Sequence, residues 1–337
     1  MRDIARLAKV SISTVSVALQ NKPGVSPENQ ERILRIAKDS GYTPDSRIGS
    51  WMARVREASS KDLLPIVWLN TAMEKDAWQR YRFLTPYVAG ANERALELGY
   101  KLEQIWCHEP GMTMQRQAKI LYQRGVEGVI VTFPARHLRL DWDRLATVVL
   151  GTNLLAPKLH QVGADLNFNL HLALKSLRRC GFRRIGICLS QQVDSASHYS
   201  LRATAYHIYY TAPNRERVPP LFHASQMTDE SDRAAQIARW FKRHKPEVIV
   251  GHDNRLARWL EAAGYRVPND VGVINLAVDD DVLDWAGIHS RRRETGATTV
   301  EWLVSLMRNR QFGVPKTPLN MLVRGTWQNG RTIKSPI

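Results

Sequence analysis

Short hydroxyl side chains cluster between residues 11 and 16, where the chain also has the spacing of a helix. Ser11, Thr14 and Ser16 can each donate a hydrogen bond to a phosphate oxygen, a contact that positions a protein on a nucleic-acid backbone without reading its sequence. Ser11 is also a good helix N-cap, because its oxygen can accept from a backbone N–H that the first turn leaves unpaired. The pattern therefore indicates phosphate binding at the start of a helix.

Apolar residues spaced three and four apart predict the helices that would hold this cluster in place. The residues predicted to face inward are Ile4, Leu7 and Ala8 on a first helix and Val15, Ala18 and Leu19 on a second. Ser26-Pro27 predicts the start of a third helix that runs to Gly41. Two short helices joined by a tight turn and backed by a third are typical of a helix-turn-helix head.

The first turn of the second helix would present Ile12 and Ser13 outward, with Val17 one turn further along. In a helix-turn-helix, this end of the second helix meets base edges in the major groove. The alternative is a small three-helix cap with no role in nucleic-acid binding. The basic residues of the segment and the hinge-like stretch that follows it favour DNA binding.

The head also carries a family resemblance. The pattern Asp3-Ile4-Ala5-x-x-Ala8-x-Val10-Ser11-x-x-Thr14-Val15-Ser16 resembles the signature of the LacI/GalR transcriptional repressors, as do Asn21-Lys22-Pro23-x-Val25-Ser26 and Gly41-Tyr42-x-Pro44. Weaker resemblance continues to Val323-x-Gly325-x-Trp327-x-x-Gly330-x-Thr332. The resemblance implies a DNA-binding head over residues 1–45, with Asn21 among its DNA contacts. It also implies a homodimer on double-stranded operator DNA, with two heads on pseudo-palindromic half-sites.

Several positions depart from the family pattern. Lys9 stands where the family usually has Gly in the turn, and it carries a small strain if its φ is positive, because only Gly reaches that region freely. Val17 stands where the family often has an Arg that reads guanine. We therefore expect apolar contacts to thymine methyl groups. The Ser or Thr that normally caps the first helix is absent, so we expect the natural start to lie a few residues upstream.

Residues 46–60 are predicted to form a hinge helix and linker. In the family, a short helix here forms only on DNA, where paired Leu side chains wedge into the minor groove and kink the duplex. Trp51 occupies the position of that Leu, with Met52 beside it. Gly49 lowers the stability of a helix by about 1 kcal/mol, which fits a helix that folds only when bound. The alternative, in which Trp51 and Met52 pack on the core of the next domain, stays open.

Composition excludes several classes of protein. The 337 residues suggest two or three compact units. The formal charge is +16, of which residues 1–60 supply +4, so +12 lies in the rest of the chain. That surplus fits nonspecific attraction to DNA, an acidic effector or simply a solvated basic surface. We expect no membrane span and no secretory leader, because no apolar run has the required length. Three cysteines without metal-ligand spacing indicate reduced thiols in the cytoplasm, and no cofactor is predicted.

From Leu64 onward, short apolar runs alternate with helical patterns. The predicted strands cover residues 66–69, 101–106, 129–131, 148–150, 185–189, 248–250 and 271–276, and the clearest helices cover about 87–99 and 114–124. This alternation implies βαβ units and parallel sheets covered on both faces, in an α/β body with two lobes. The family resemblance further implies a periplasmic-binding-protein-like body over 61–337 whose chain crosses between the lobes three times. The N-lobe would comprise about 61–163 and 291–322, and the C-lobe about 164–290 and 323–337.

Ligands of open α/β sheets bind at the carboxyl ends of the strands. The residues nominated by this rule are Asn70, Phe133, Asp165 and Asp253. By resemblance, His252-Asp253-Asn254-x-x-Ala257 matches the family segment whose Asp commonly binds effector hydroxyls, and Arg202 falls near the family Arg that reaches the same ligand. A carboxylate and a guanidinium facing one cleft can clamp a polyol, so a sugar or sugar derivative is the expected effector. The alternative is that either residue caps a helix or forms a structural ion pair.

One family landmark is missing and no enzyme motif replaces it. Where the family has Gly-Phe-Asp-Asp, this chain has Ala277-Val278 and then three Asp residues at 279–281, which lack the spacing of a calcium loop. The chain contains no nucleophile elbow, no zinc-protease motif, no P-loop and no dinucleotide fingerprint. A sugar-processing enzyme and a transport-type solute-binding protein are therefore the weaker alternatives. The sequence predicts a DNA-binding transcriptional regulator, and a repressor controlled by a small molecule is favoured over a regulator without an effector.

Overall fold

The computed structural model describes residues 2–19, 24–40, 63–111, 113–132, 140–151, 156–191, 196–224, 230–278 and 284–334. The sequence predictions that lie outside these ranges concern Asn21, the hinge at 46–60 with Trp51 and Met52, Phe133 and the acidic residues 279–281. Within the described ranges the chain forms a helical head and a larger α/β body. None of the helices described there is long and apolar enough to cross a membrane.

The head consists of three helices around a small apolar core: α1, Arg2–Ala8; α2, Ile12–Leu19; and α3, Pro27–Asp39. The core side chains are Ile4, Ala5, Ala8, Val15, Ala18, Ile33 and Ala37. Ser26 caps α3 by accepting a hydrogen bond from the Asn29 N–H at 3.4 Å. Pro27 follows in the first turn, where a missing N–H costs nothing.

Leu7 is 58% exposed, so the prediction that it faces inward with Ile4 and Ala8 is wrong. Ala5 takes the third inward position instead. At about 100° per residue, Ile4, Ala5 and Ala8 cover one side of α1, and Leu7 lies roughly 100° from the centre of that side. The apolar spacing of α1 has two solutions, and packing against the other two helices selects the one that buries the alanines.

The N-lobe of the body is built on a six-stranded sheet. Its strands are β1, Leu64–Asn70; β2, Tyr100–Trp106; β3, Gly128–Thr132; β4, Ala146–Leu150; β5, His160–Ala164; and β11, Asn320–Val323. Their order is β11-β5-β4-β3-β1-β2, and every neighbouring pair is parallel. The inner strands β3 and β4 are buried on both faces, which explains their uninterrupted apolar sequences.

The C-lobe has a second six-stranded sheet. Its strands are β6, Ile185–Gln191; β7, Leu221–Ala224; β8, Val248–Gly251; β9, Gly272–Val278; β10, Gly287–His289; and β12, Thr326–Gln328. Their order is β12-β10-β9-β8-β6-β7, parallel except where β12 pairs antiparallel with β10. The last described residues complete this lobe, because Val273 N–H donates to the Thr332 carbonyl at 2.8 Å and Ile333 packs in the core at 8% exposure.

Helices cover both faces of each sheet, and apolar clusters fill the space beneath them. The N-lobe helices are α4, Ala77–Arg80; α5, Thr85–Glu97; α6, Met114–Gln123; and α11, Arg292–Arg308, and the C-lobe helices are α7, Leu166–Arg179; α8, Ala196–Thr211; α9, Glu230–His244; and α10, Leu256–Ala262. The predicted fold class, a helical head followed by a two-lobed α/β body with parallel sheets, is confirmed.

The chain passes between the lobes after β5, after β10 and between β11 and β12. The first and third crossings are tied together, because Asp165 N–H donates to the Val323 carbonyl and Gly325 N–H donates to Asn169 Oδ1, each at 2.9 Å. Since β5 and β11 end where the chain leaves the N-lobe, and α7 begins where it enters the C-lobe, the carboxyl ends of the strands in both lobes border the cleft.

Helices α5 and α11 cross in the N-lobe at backbone contact. Gly90 and Gly296 lie at the crossing. A Cβ atom at Gly296 would overlap the carbonyl of Tyr87, and one at Gly90 would overlap the carbonyl of Arg293. The two helices therefore approach as closely as the backbone allows, and the N-lobe is held together at this point without intervening side chains.

Candidate nucleic-acid interface and ligand cleft

The start of α2 has the predicted cap. Ser11 Oγ accepts from the Thr14 N–H at 3.0 Å and lies 2.7 Å from Thr14 Oγ1. Ser11 is exposed and Thr14 half-buried, so the two hydroxyls form one polar pair at the surface, at the first turn of the helix. Such a pair, together with the N–H groups of the helix end, suits a phosphate oxygen.

The turn between α1 and α2 holds Lys9 in the left-handed region, at φ 49°. Val10 N–H donates to the Ala5 carbonyl at 3.0 Å and Lys9 N–H donates to the Arg6 carbonyl at 3.3 Å, which is the pair of hydrogen bonds of a Schellman cap. The side chain of Arg32 reaches from α3 to donate to the Ala8 carbonyl at 3.0 Å. The carbonyls of Ala5, Arg6 and Ala8 at the end of α1 therefore have partners, and the φ of Lys9 is a requirement of the turn.

The other predicted DNA contacts within the described residues lie on α2. Val17 lies on α2 one turn after the cap and is half-buried. Ile12, Ser13 and Ser16 also belong to α2, where the helix places them in the first turns. The roles of these residues in contacting DNA stay predictions.

In the C-lobe, Asp253 follows β8 and is held by its neighbour Arg255. Asp253 Oδ1 accepts from the Arg255 backbone N–H at 2.9 Å and from Nε at 3.0 Å, while Oδ2 accepts from Nη2 at 2.8 Å. Burial alone would raise the pKa of Asp253, but the hydrogen bonds and charge of Arg255 outweigh it and hold the pKa below the usual value. The side chain is 22% exposed, so an ionised and firmly oriented carboxylate faces solvent at the carboxyl edge of the sheet.

Aromatic side chains pack against Arg255, the residue that holds the Asp253 carboxylate. The guanidinium of Arg255 lies 5.1 Å from the centre of the Trp259 ring, and the His223 ring meets Trp259 edge-on at 5.7 Å. Trp259 is itself fixed, because its Nε1–H donates to Glu230 Oε1 at 2.9 Å. His252, one residue before Asp253, is exposed at the same edge.

Arg202 approaches that edge from the opposite face of the sheet. It lies on α8 and is half-buried, with its guanidinium 4.8 Å from the centre of the Phe222 ring. Phe222 packs with Leu201 in the apolar cluster on one face, whereas Trp259 belongs to the cluster on the other. The predicted guanidinium and carboxylate thus flank the carboxyl edge of the C-lobe sheet from its two sides.

The other two described candidates, both at strand ends, have local structural partners. Asn70 Nδ2 donates to the carbonyls of Glu74 and Lys75 at 3.0 and 3.2 Å, and its Oδ1 accepts from the Ala72 N–H at 2.9 Å, so its amide shapes the loop after β1. Asp165 Oδ1 caps α7 by accepting from the Phe168 N–H at 2.9 Å. Asp165 thus serves as a helix cap, while the alternative of a structural ion pair, offered for Asp253, is what Asp253 forms with Arg255. Contact of Asn70 or Asp165 with an effector stays a prediction.

Across the part of the chain that the structure describes, no group of three His, Cys, Asp or Glu side chains is placed to hold an ion. The charged groups at this edge of the cleft are the carboxylate of Asp253 and the guanidinium of Arg202.

Two family models match separate parts of the chain, the head and the later part of the body. The model of the LacI family of bacterial regulatory proteins matches residues 1–45, and the model of the periplasmic binding protein-like domain matches residues 174–326. The ribose operon repressor of Haemophilus influenzae is 29% identical over 328 residues, which cover 92% of each chain. The chain thus carries the helix-turn-helix head of the LacI family and a periplasmic-binding-protein-like domain, and its relatives are repressors. It is therefore a DNA-binding transcriptional regulator rather than an enzyme.

Other LacI-family proteins show the same likeness over most of their length. The sucrose operon repressor of Escherichia coli is 25% identical over 287 residues, which cover 81% of this chain and 82% of its own. The solved structure of the lac repressor dimer bound to operator and the anti-inducer ONPF matches with a TM-score of 0.57 at 17% identity, covering 98% of this chain and 97% of that one. The latter likeness concerns the fold.

Sequence reasoning missed one residue that joins the two lobes of the body. Arg292, the first residue of α11, places its guanidinium 5.5 Å from the centre of the Phe83 ring and 5.9 Å from that of Tyr87, both in the N-lobe. Its Nη2 also donates to the Ala277 carbonyl in the C-lobe at 3.4 Å. Burial lowers the pKa of Arg292 and raises that of Tyr87. The signal was the run of three arginines at 291–293, directly after a buried strand.

Proposed function

We propose that this protein is a transcriptional repressor that binds a pseudo-palindromic operator as a homodimer, and that a sugar or related polyol bound between the lobes sets its affinity for DNA. The observation that carries the proposal is the carboxylate of Asp253, which Arg255 holds in a fixed orientation at the C-lobe edge, with Arg202 on the other side of that edge. The ribose and sucrose operon repressors among its relatives support a carbohydrate as the ligand class. A protein with this task works beside the chromosome, so we place it in the cytoplasm.

The chemistry of the edge fits a hydroxylated ligand. Asp253 Oδ2 accepts one hydrogen bond from Arg255, which leaves a lone-pair direction for a ligand hydroxyl. Arg202 can donate to a second hydroxyl oxygen, because its guanidinium carries five N–H donors and packs on Phe222 through its flat face. Hydrogen bonds to ionised groups are stronger than neutral ones, so one carboxylate and one guanidinium suffice to orient a neutral polyol.

The switch requires that ligand binding distinguish two arrangements of the lobes. A ligand that touched the C-lobe edge and the N-lobe loop after β1 would favour a closed cleft and so alter the separation of the two hinges. Such coupling is allosteric only to the extent that the ligand binds the two arrangements with different affinity. Arg292 contacts both lobes and is placed to respond to the change.

The effector half of the proposal is tested by thermal unfolding of the full chain with a panel of pentoses, hexoses and disaccharides. A ligand at about 100 times its Kd adds roughly 2.7 kcal/mol to stability, which raises the Tm of a body of this size by several degrees. Asp253→Asn and Arg202→Gln should each abolish the rise. The proposal fails if no sugar raises the Tm of the wild type, or if both variants respond like it.

The chain offers a matched control for Asp253. Asp270 makes the same set of bonds with Arg266, accepting from its backbone N–H at 2.8 Å, from Nε at 3.1 Å and from Nη2 at 2.9 Å, but it lies in an exposed turn before β9. Asp270→Asn removes an equivalent ion pair and should leave the response to the sugar unchanged. A loss of response in this control would show that any damaged Asp–Arg turn has the same effect.

The DNA half is tested by selecting bound duplexes from a random pool with the full chain. The selected sites should be pseudo-palindromes bound by two copies, and Ser11→Ala should weaken their binding roughly uniformly across sequences, because the proposed contact is to phosphate. Ser40→Ala, which removes an exposed hydroxyl at the far end of α3, is the control and should bind as the wild type does. Selection of sites without symmetry would contradict the dimer.

A further inference from the structure

The C-lobe segregates its charges. Three segments, residues 175–184, 215–217 and 239–247, contain eleven Lys and Arg but only two acids, Glu216 and Glu247. These segments therefore supply most of the positive charge of the body, which is concentrated in them rather than spread evenly over the surface.

The fold brings the three segments together at one end of the lobe. Arg184 is the junction, because its guanidinium donates to the carbonyl of Arg215 at 2.7 Å and to the carbonyls of His244 and Lys245 in the third segment. These segments are the end of α7 with the start of β6, the turn before β7, and the end of α9 with the turn before β8. We call this region, at the amino ends of the C-lobe strands, the cationic pole.

Helix structure alone does not account for so many cations. The ends of α7 and α9 supply roughly half a negative charge each. The carboxylate of Glu247 binds backbone groups, because its Oε2 accepts from the N–H groups of Arg183 and Arg184 at 2.6 and 2.9 Å. The exposed cations at the pole include Arg178, Arg183, Arg215, Lys242, Arg243 and Lys245. Within the described chain, none of these six is within ion-pair distance of a carboxylate, so the excess charge faces solvent.

The lowered pKa of His244, the histidine within these three segments, is consistent with an excess of positive charge at the pole. The pKa of His244 is lowered by burial and by the positive charges of Arg243 and Arg184. A positive field that discourages protonation of a neighbouring side chain will attract an anionic partner from solution.

The pole lies at the end of the C-lobe far from the cleft. The head joins the body at the amino end of β1, whereas the cationic pole lies at the amino ends of β6 and β8, and the carboxyl ends of both sheets meet between them at the cleft. Two seven-residue strands laid end to end span about 46 Å. The pole therefore lies roughly that far from the point where the described body begins.

We propose that the cationic pole is a second, sequence-independent site for double-stranded DNA, which lets the body hold a distant segment of duplex while the heads occupy the operator. Eight of its eleven cations are Arg, whose planar fork matches phosphate oxygens. DNA is also the polyanion that the head keeps at high local concentration around this molecule. The inference goes beyond the proposed repressor function and does not depend on the effector.

The test is a bridging assay with the full chain. The protein is bound to an immobilised duplex, and the capture of a second, labelled duplex is measured over a series of salt concentrations. The pole variant carries Arg183→Gln, Arg215→Gln, Lys242→Gln and Lys245→Gln; it spares Arg184 and Arg217, which brace backbone carbonyls. It should bind the first duplex as the wild type does, and capture the second at least ten-fold less.

The salt dependence gives a second readout. Each phosphate contact contributes about 0.9 to the slope of log K against log salt, so four lost contacts lower the slope of the capture step by up to about 3.6. The control variant removes two Arg and two Lys from exposed positions of the N-lobe: Arg80→Gln, Arg116→Gln, Lys119→Gln and Lys316→Gln. It should capture the second duplex like the wild type, with an unchanged slope.

Three results would overturn the proposal. One is capture by the pole variant at the wild-type level, and another is an equal loss in the N-lobe control. The third is competition by poly-L-glutamate as strong as that of duplex at equal charge, which would assign the pole to an acidic polypeptide. Far-ultraviolet circular dichroism of both variants confirms that a loss reflects charge and not unfolding.

Discussion

Replacing Lys9 with Gly should stabilise the head. The Schellman cap of α1 holds Lys9 at φ 49° through the bonds from Val10 N–H to the Ala5 carbonyl and from Lys9 N–H to the Arg6 carbonyl. A side chain in this region costs about 1–2 kcal/mol, whereas Gly reaches it without a steric penalty. Gly loses more backbone entropy on folding, by roughly 0.5–1 kcal/mol. The difference predicts a net stabilisation of about 0.5–1 kcal/mol.

The assay is amide hydrogen exchange in the full chain, followed on peptides that cover residues 2–19, because the head opens locally. A gain of about 1 kcal/mol slows exchange of its core amides roughly five-fold. Lys9→Asn should give part of this gain, since Asn tolerates the left-handed region, and Lys9→Ala should give none. Lys245, at φ 45° after α9, provides an independent repeat: Lys245→Gly should slow exchange at the end of that helix.

The exchange rates of the three Lys9 variants distinguish a backbone effect from an effect of the side chain. If Lys9→Ala slows exchange as much as Lys9→Gly, the cause is the lost side chain or its charge, and the backbone explanation is refuted. Operator affinity is measured alongside, because all three variants remove the same positive charge. An equal loss of affinity in all three would assign the Lys9 ammonium to a phosphate contact.

Further predictions follow from the body. Asp165→Ala should lower the free energy of unfolding by about 1 kcal/mol in urea titrations through loss of the α7 cap, while Asp165→Asn, which can still accept the bond, should change it much less. Gly296→Ala should destabilise by about 1–3 kcal/mol in calorimetry, because its Cβ meets the Tyr87 carbonyl. Of the three cysteines, only Cys180 should react with a thiol reagent under native conditions, since burial raises the pKa of the other two to about 12. The pKa of Asp253 is depressed, so its contribution to stability should be constant above about pH 4 and disappear only as the pH falls through that lowered value. Asp253→Asn should flatten this acid limb of the stability curve.

Much of the fold was predictable because the central strands are short apolar runs bounded by polar turns. The strands predicted at 129–131, 148–150 and 248–250 are fully buried, and burial on both faces forces the apolar composition that reveals them. The strands β10 and β12 have three residues each, and β11 is mostly exposed. They exist because distant parts of the chain meet, and no local pattern encodes that meeting.

For the candidate site, the sequence indicated residues but not the partners that hold them. The rule of strand ends, with the family resemblance, pointed to Asp253 and Arg202, both of which lie at the carboxyl edge of the C-lobe sheet. The partners that fix Asp253 were missed, because Arg255 and Trp259 act through geometry that spacing alone does not specify. Arg292 was missed for a related reason, since its neighbours Phe83 and Tyr87 are more than 200 residues away in sequence.

The position of β12 has a consequence for synthesis. The strand that completes the C-lobe sheet, and Ile333 beneath it, come from the last dozen described residues, whereas the three helices of the head come from the first forty. Domains fold as they emerge from the ribosome, amino-terminal parts first. The DNA-binding head can therefore form long before the lobe that would regulate it is closed. A product cut short before residue 326 would keep every helix of the head and lack the strand that seals the C-lobe, so premature termination would separate attachment to DNA from its control.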